Sequence, residues 1–106
     1  MTSRIGTAAL ILLSASLAGP AFSQARGADI YKAKCAVCHG ADGLAVTPMA
    51  RIVKTLSFKD PAILKATDAQ LFDSTKNGKF TMKGYGGMLT DAQIKDLVFY
   101  MRTLQK

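Results

Sequence analysis

The chain is 106 residues long, 49% hydrophobic and 20% charged, with a formal net charge of +7. That length allows one small domain and excludes a two-domain enzyme. The basic balance leaves nucleic acid, an anionic membrane or an acidic protein as partner classes.

The first 25 residues hold one charge, Arg4, followed by an apolar run from Ile5 to Leu17 and small residues at Ala21-Phe22-Ser23 and Ser23-Gln24-Ala25. A basic start, a short apolar stretch and a small-residue cleavage site describe a secretory signal peptide. Gly6, Thr7, Ser14 and Ser16 interrupt the run, so it spans a bilayer poorly, and an uncleaved anchor is the weaker alternative. Residues 1–25 are expected to be the signal and residues 26–106 the exported domain, placed in the periplasm without stable membrane insertion. Without Arg4 the domain keeps a charge of +6 and contains no glutamate. Export argues against nucleic acid, and the basic residues are spread along the chain rather than run together. A domain of this size buries little core and often needs a staple such as a metal or a disulfide.

Ala28 to Cys38 reads as a helix with Asp29 in its first turn, where a carboxylate favours the positive end of the dipole. Its end holds the only two cysteines and the only histidine, as Cys35-Ala36-Val37-Cys38-His39. This C-x-x-C-H spacing is the attachment signature for c-type haem. Two thiols about one helical turn apart can each add to a haem vinyl group, and the adjacent imidazole is then directed at the iron. Other readings fit less well. A Cys35–Cys38 disulfide closes a loop too small to constrain much of the unfolded chain. A thioredoxin-like dithiol wants a βαβ context, and a structural zinc site wants four ligands, commonly from two separated pairs. With one histidine, bis-histidine ligation within the chain is excluded, so a sixth ligand comes from Met, Lys, water or an exogenous molecule.

Residues 40–59 read as a long connection opened by Gly40-Ala41-Asp42-Gly43 and interrupted by Pro48, with one or two helical turns between Met49 and Leu56. Asp60-Pro61 starts a short helix through about Lys65. Thr67-Asp68-Ala69-Gln70 is a capping box for a helix that buries Leu71 and Phe72 and stops at Asn77-Gly78. Gly78, Gly84, Gly86 and Gly87 make the next segment a loop. Thr90-Asp91-Ala92-Gln93 repeats the capping box, with Leu89 and Ile94 as a hydrophobic staple. Ile94, Leu97, Val98, Met101 and Leu104 then recur at helical spacing to the end. No window alternates as a strand. The expected fold is all-α, about four short helices around one covalently bound haem.

Across the whole exported domain the sequence resembles the class I c-type cytochromes, small bacterial monohaem electron carriers. The resemblance implies the cytochrome c fold, with a haem-binding helix crossing a C-terminal helix. It implies Cys35 and Cys38 as thioether attachments, His39 as proximal ligand, and Met82, in the loop before the last helix, as distal ligand. It also implies that the Pro48 carbonyl accepts the imidazole N–H, and that Gly27, Tyr31, Leu97 and Tyr100 sit at the helix crossing. The chain departs from the family's common pattern in having Lys83 after the ligating methionine instead of proline, Phe80 where glycine is common, and no tryptophan to bond a haem propionate. Among the other methionines, Met101 is expected in the core, Met88 packs beside the last helix cap, and Met49 lies nearer the proximal side. Tyr85 and Phe80 are candidate pocket residues. The implied function is one-electron transfer between redox proteins by a monomer, with haem c as cofactor and partners that dock through acidic surfaces. Alternatives are a five-coordinate haem sensor or ligand-binding protein, a peroxidase-like haem enzyme, and a fixed electron-transfer subunit of a dehydrogenase.

Overall fold

The structure is a computed structural model, and it describes residues 19–106. The expected signal peptide falls mostly outside the described residues. Six helices follow one another: α1 Pro20–Lys34, α2 Ala36–His39, α3 Pro48–Val53, α4 Pro61–Lys65, α5 Asp68–Asn77 and α6 Asp91–Thr103. Among the described residues there is no strand, only one isolated bridge between Lys79 and Met82. No helix among them is long and apolar enough to cross a membrane.

The all-α expectation holds, with more and shorter pieces than about four. The attachment helix begins at Pro20 rather than Ala28, because proline suits the first helical position and Ala21 to Arg26 contains no breaker. Asp29 therefore sits mid-helix. The same helix breaks at Cys35 (φ −113°, ψ −34°), and α2 resumes for four residues until Gly40 turns left-handed at φ 81°. Pro48 opens α3 instead of merely interrupting a loop, since the Thr47 hydroxyl accepts the Ala50 N–H as an N-cap. The short helix α4 starts as read, capped by Asp60. Both capping boxes form, at Thr67/Gln70 and Thr90/Gln93. Gly78 stops α5 at φ 84°.

Packing is organised on the crossing of α1 and α6. Tyr31, Ile94 and Leu97 are fully buried there, joined by Val98, Met101, Leu71, Leu89 and Phe58. The two backbones approach closely at Gly27, where an added Cβ would lie 2.3 Å from the Asp96 carbonyl oxygen and 2.9 Å from the Tyr100 Cβ. The Tyr31 and Tyr100 rings meet at 5.2 Å between centroids. Arg26 pairs with the buried Asp96 at 3.0 Å across the same crossing. Arg102 ties α6 to the α4–α5 corner, bonding Asp68 at 2.8 Å and the Ala66 carbonyl at 2.6 Å.

Candidate functional site

The break between α1 and α2 sets the proximal side. Cys35 stands at the break and Cys38 and His39 on α2, both thiols free and half-buried. Burial pushes the Cys35 thiol up to about 11, opposed by Lys34 and helped by Cys38. The His39 ring stacks on buried Phe58, with centroids 4.5 Å apart and planes 19° from parallel. Phe58 reaches this place because Gly43 lacks a side chain: a Cβ there would lie 2.6 Å from the Phe58 ring. Burial lowers the imidazole pKa, with the Leu56 backbone pushing the other way, so the ring is held neutral. Neutral imidazole is the form that ligates a metal. Two side chains fasten this segment: Tyr31 donates to the Gly40 carbonyl at 2.6 Å, and Thr47 donates to the Cys38 carbonyl at 2.9 Å.

The bond expected from the imidazole to the Pro48 carbonyl does not form. His39 Nδ1 is buried and has no partner. Pro48 is the first residue of α3, and carbonyls at a helix start belong to the helix's own ladder.

Met82 ends a tight turn in the loop before α6. Lys79 and Met82 exchange two backbone hydrogen bonds of 3.0 Å, and Phe80 between them is left-handed at φ 54° with its ring 94% exposed. This is the position where the resembled family commonly has glycine, and the positive φ is the physical reason. After the turn, Tyr85 N–H donates to the Thr75 carbonyl and Gly86 N–H to that of Lys76, both at 2.9 Å. The Tyr85 hydroxyl reaches the Lys34 carbonyl at 3.3 Å, so the distal loop touches the end of the attachment helix. Met82 itself is half-buried. Met101 lies in the core as expected. Met88 does not pack beside the cap but stays 52% exposed, because Leu89 occupies the buried staple position. Met49 is exposed in the first turn of α3.

A hollow of about 520 Å³ opens between α3 and the Met82 turn, lined by Ile52, Val53, Lys54, Leu56, Phe80 and Thr81. His39 and Met82 are not among the lining residues; Phe80 and Thr81, the two residues before Met82, place the hollow beside the Met82 turn. Its walls include exposed apolar side chains, Ile52, Leu56 and Phe80. Apolar surface of this kind marks a binding groove. Two thiols, a half-buried neutral imidazole whose Nδ1 has no partner, and exposed apolar side chains nearby fit a covalently held haem. Sequence reasoning missed Phe58, Thr47 and Leu56, which lie in the connection without periodic pattern. A second hollow, about 460 Å³ between α5 and α6, holds none of the candidate ligands.

Comparison with known proteins supports the same family. A family profile described as cytochrome C oxidase, cbb3-type, subunit III matches residues 22–101. Cytochrome c6 of Synechococcus sp. is 33% identical over 94 residues, covering 87% of this chain and 81% of that protein. Cytochrome c6 of Limnospira maxima is 37% identical over 83 residues, covering 73% and 88%. The solved structure of KustC0563, a c-type cytochrome, superposes with a TM-score of 0.68 at 27% identity, covering 76% of this chain and 98% of that one. The likeness runs from the crossing helix through the attachment segment to the last helix, and the chain belongs to the small monohaem class I c-type cytochromes, electron carriers with covalently bound haem c.

Proposed function

We propose that Cys35 and Cys38 carry the two thioethers, that His39 and Met82 are the axial ligands, and that the domain shuttles single electrons between redox proteins in the periplasm. The observation that supports this most is that both free thiols and the His39 ring, stacked on Phe58 and with its Nδ1 buried and unpartnered, stand together on one short segment. Haem c, when bound, supplies the one-electron couple. The chain's own residues orient and shield it: Phe58 fixes the plane of the His39 ring, Tyr31 and Thr47 anchor the attachment segment, and Ile52, Leu56 and Phe80 exclude water. A neutral thioether opposite a neutral imidazole, in an apolar surround, favours the ferrous state and raises the potential. Were His39 and Met82 both to hold the metal of bound haem, a substrate would have no access to it, which supports an electron carrier rather than an enzyme. Residues 1–25 act as the export signal in this reading, and the domain works as a monomer without nucleic acid.

The ligand assignment is tested by the weak near-infrared charge-transfer band of a ferric Fe–S(Met) bond. The native protein shows it, Met82→Ala loses it, and Met88→Ala keeps it. A band that survives loss of Met82 overturns the assignment. Ready carbon monoxide binding by the native ferrous protein favours the five-coordinate sensor instead.

Partner choice follows from the lysines. Lys34, Lys79 and Lys83 are exposed, and the structure gathers them: Tyr85 bonds the Lys34 carbonyl and lies 5.3 Å under the Lys83 ammonium, while Lys79 closes the Met82 turn. This basic face supports docking of an acidic redox protein over the site. Attraction between exposed charges is screened within a Debye length, about 8 Å at physiological salt. Stopped-flow reduction by an acidic protein donor is therefore expected to slow about tenfold or more from low to high salt. A rate that is flat or rises with salt removes the steering.

A further inference from the structure

The loop that carries Met82 is bonded to α5 on either side of the turn, at Gly78 and at Tyr85 and Gly86. The turn itself, residues 79–83, has a single hydrogen bond to another element among the described residues. Its two backbone bonds join Lys79 and Met82 to each other, which shapes the turn without attaching it. Among the described residues, the one hydrogen bond from residues 79–83 to another element is donated by the Thr81 hydroxyl to the Val53 carbonyl, at 2.9 Å. That carbonyl belongs to the last turn of α3, where carbonyls have no partner within the helix. Left-handed residues flank the contact on both strands of chain: Lys54, directly after Val53, at φ 56°, and Phe80, directly before Thr81, at φ 54°. Such backbone is costly for any residue but glycine and persists where the surroundings over-determine it. Both residues line the hollow beside the Met82 turn. A strained turn held at one tie is a turn whose position that tie decides.

We propose that Thr81 is a positioning residue: its bond to Val53 latches the turn onto the end of α3 and keeps the Met82 sulfur in place as the distal ligand. The inference rests on Met82 being that ligand. Without the hydroxyl, Phe80 can relax toward ordinary backbone and the turn can move away from the hollow, leaving the distal position open for part of the time. Nothing else in the fold depends on Thr81, which is exposed and outside the core.

The test uses the haem-loaded protein and three variants: Thr81→Val, which keeps the shape and removes the donor, Thr81→Ser, which keeps the donor, and Met82→Ala. Carbon monoxide uptake by the ferrous forms and the near-infrared band of the ferric forms are measured beside the thermal midpoint. Thr81→Val is expected to take up carbon monoxide about fivefold faster than native, the weight of one net hydrogen bond, with a weaker band and a midpoint lowered by roughly 4–8 °C at most. Thr81→Ser is expected to match native. Native-like uptake by Thr81→Val, or uptake by Thr81→Ser as fast as by Thr81→Val, overturns the latch. So does a lowered midpoint with an intact band, which leaves Thr81 a purely structural role. Met82→Ala separates the two readings: if it keeps the band, the ligand assignment has failed, and if it loses the band while Thr81→Val behaves as native, only the latch has failed.

Discussion

Replacing Cys35 and Cys38 together by alanine is expected to leave a mostly unfolded chain. The core proper is thin: it consists of the α1–α6 crossing with Leu71, Leu89 and Phe58 added to it. Ile52 and Phe80 are largely exposed and Leu56 half-exposed, so these apolar side chains would gain further burial against bound haem. Fully burying one such side chain contributes roughly 1.5–3 kcal/mol, and marginal domains have about 5–15 kcal/mol in total. Losing several such burials, together with the covalent tie between the Cys35–Cys38 segment and haem, removes a large share of that margin. Far-ultraviolet circular dichroism of the double variant should show most of the helical signal gone at 25 °C. A fully helical apo-protein with a cooperative melt would show that packing alone holds the fold.

Gly27→Val is expected to lower stability by about 3 kcal/mol with haem still attached. The added Cβ would meet the Asp96 carbonyl oxygen at 2.3 Å and the Tyr100 Cβ at 2.9 Å. The nearer obstacle is backbone of α6, which cannot rotate aside as a side chain would. α1 must then lift from α6, lengthening the Arg26–Asp96 pair and loosening the packing around Tyr31 and Leu97. Gly27→Ala makes the sign diagnostic. In an exposed helix interior that change stabilises by about 1 kcal/mol, so a destabilised alanine variant reports the close approach and nothing else. Thermal unfolding of the holoprotein should fall by about 10 °C or more for valine, since 1 kcal/mol corresponds to roughly 4–8 °C in a domain this small. An unchanged or raised midpoint would mean that the helices have room at the crossing.

What sequence alone determined about this protein is what depends on neighbours within about one helical turn. Cys35, Cys38 and His39 form their signature in five residues, and Thr67/Gln70 and Thr90/Gln93 close their boxes over three. Asp60-Pro61, the Leu89/Ile94 staple and the stop at Gly78 are equally local, and each stands in the structure as read. The stripe Ile94, Leu97, Val98, Met101 marked the buried face of α6 for the same reason. Tertiary structure decided whatever joins residues far apart. No spacing rule links His39 to Phe58, and their stacking depends on Gly43 leaving room for the ring. Pro48 was read as an acceptor for the imidazole, but capping by Thr47 turned it into the first residue of a helix and left Nδ1 without that bond. The tie from Thr81 to Val53 leaves no trace in composition or period, because it joins residues 28 positions apart. Local capping and periodicity act within a few residues of chain, whereas the position of the distal turn depends on which distant carbonyl is left without a partner, and only the folded chain brings that carbonyl within reach.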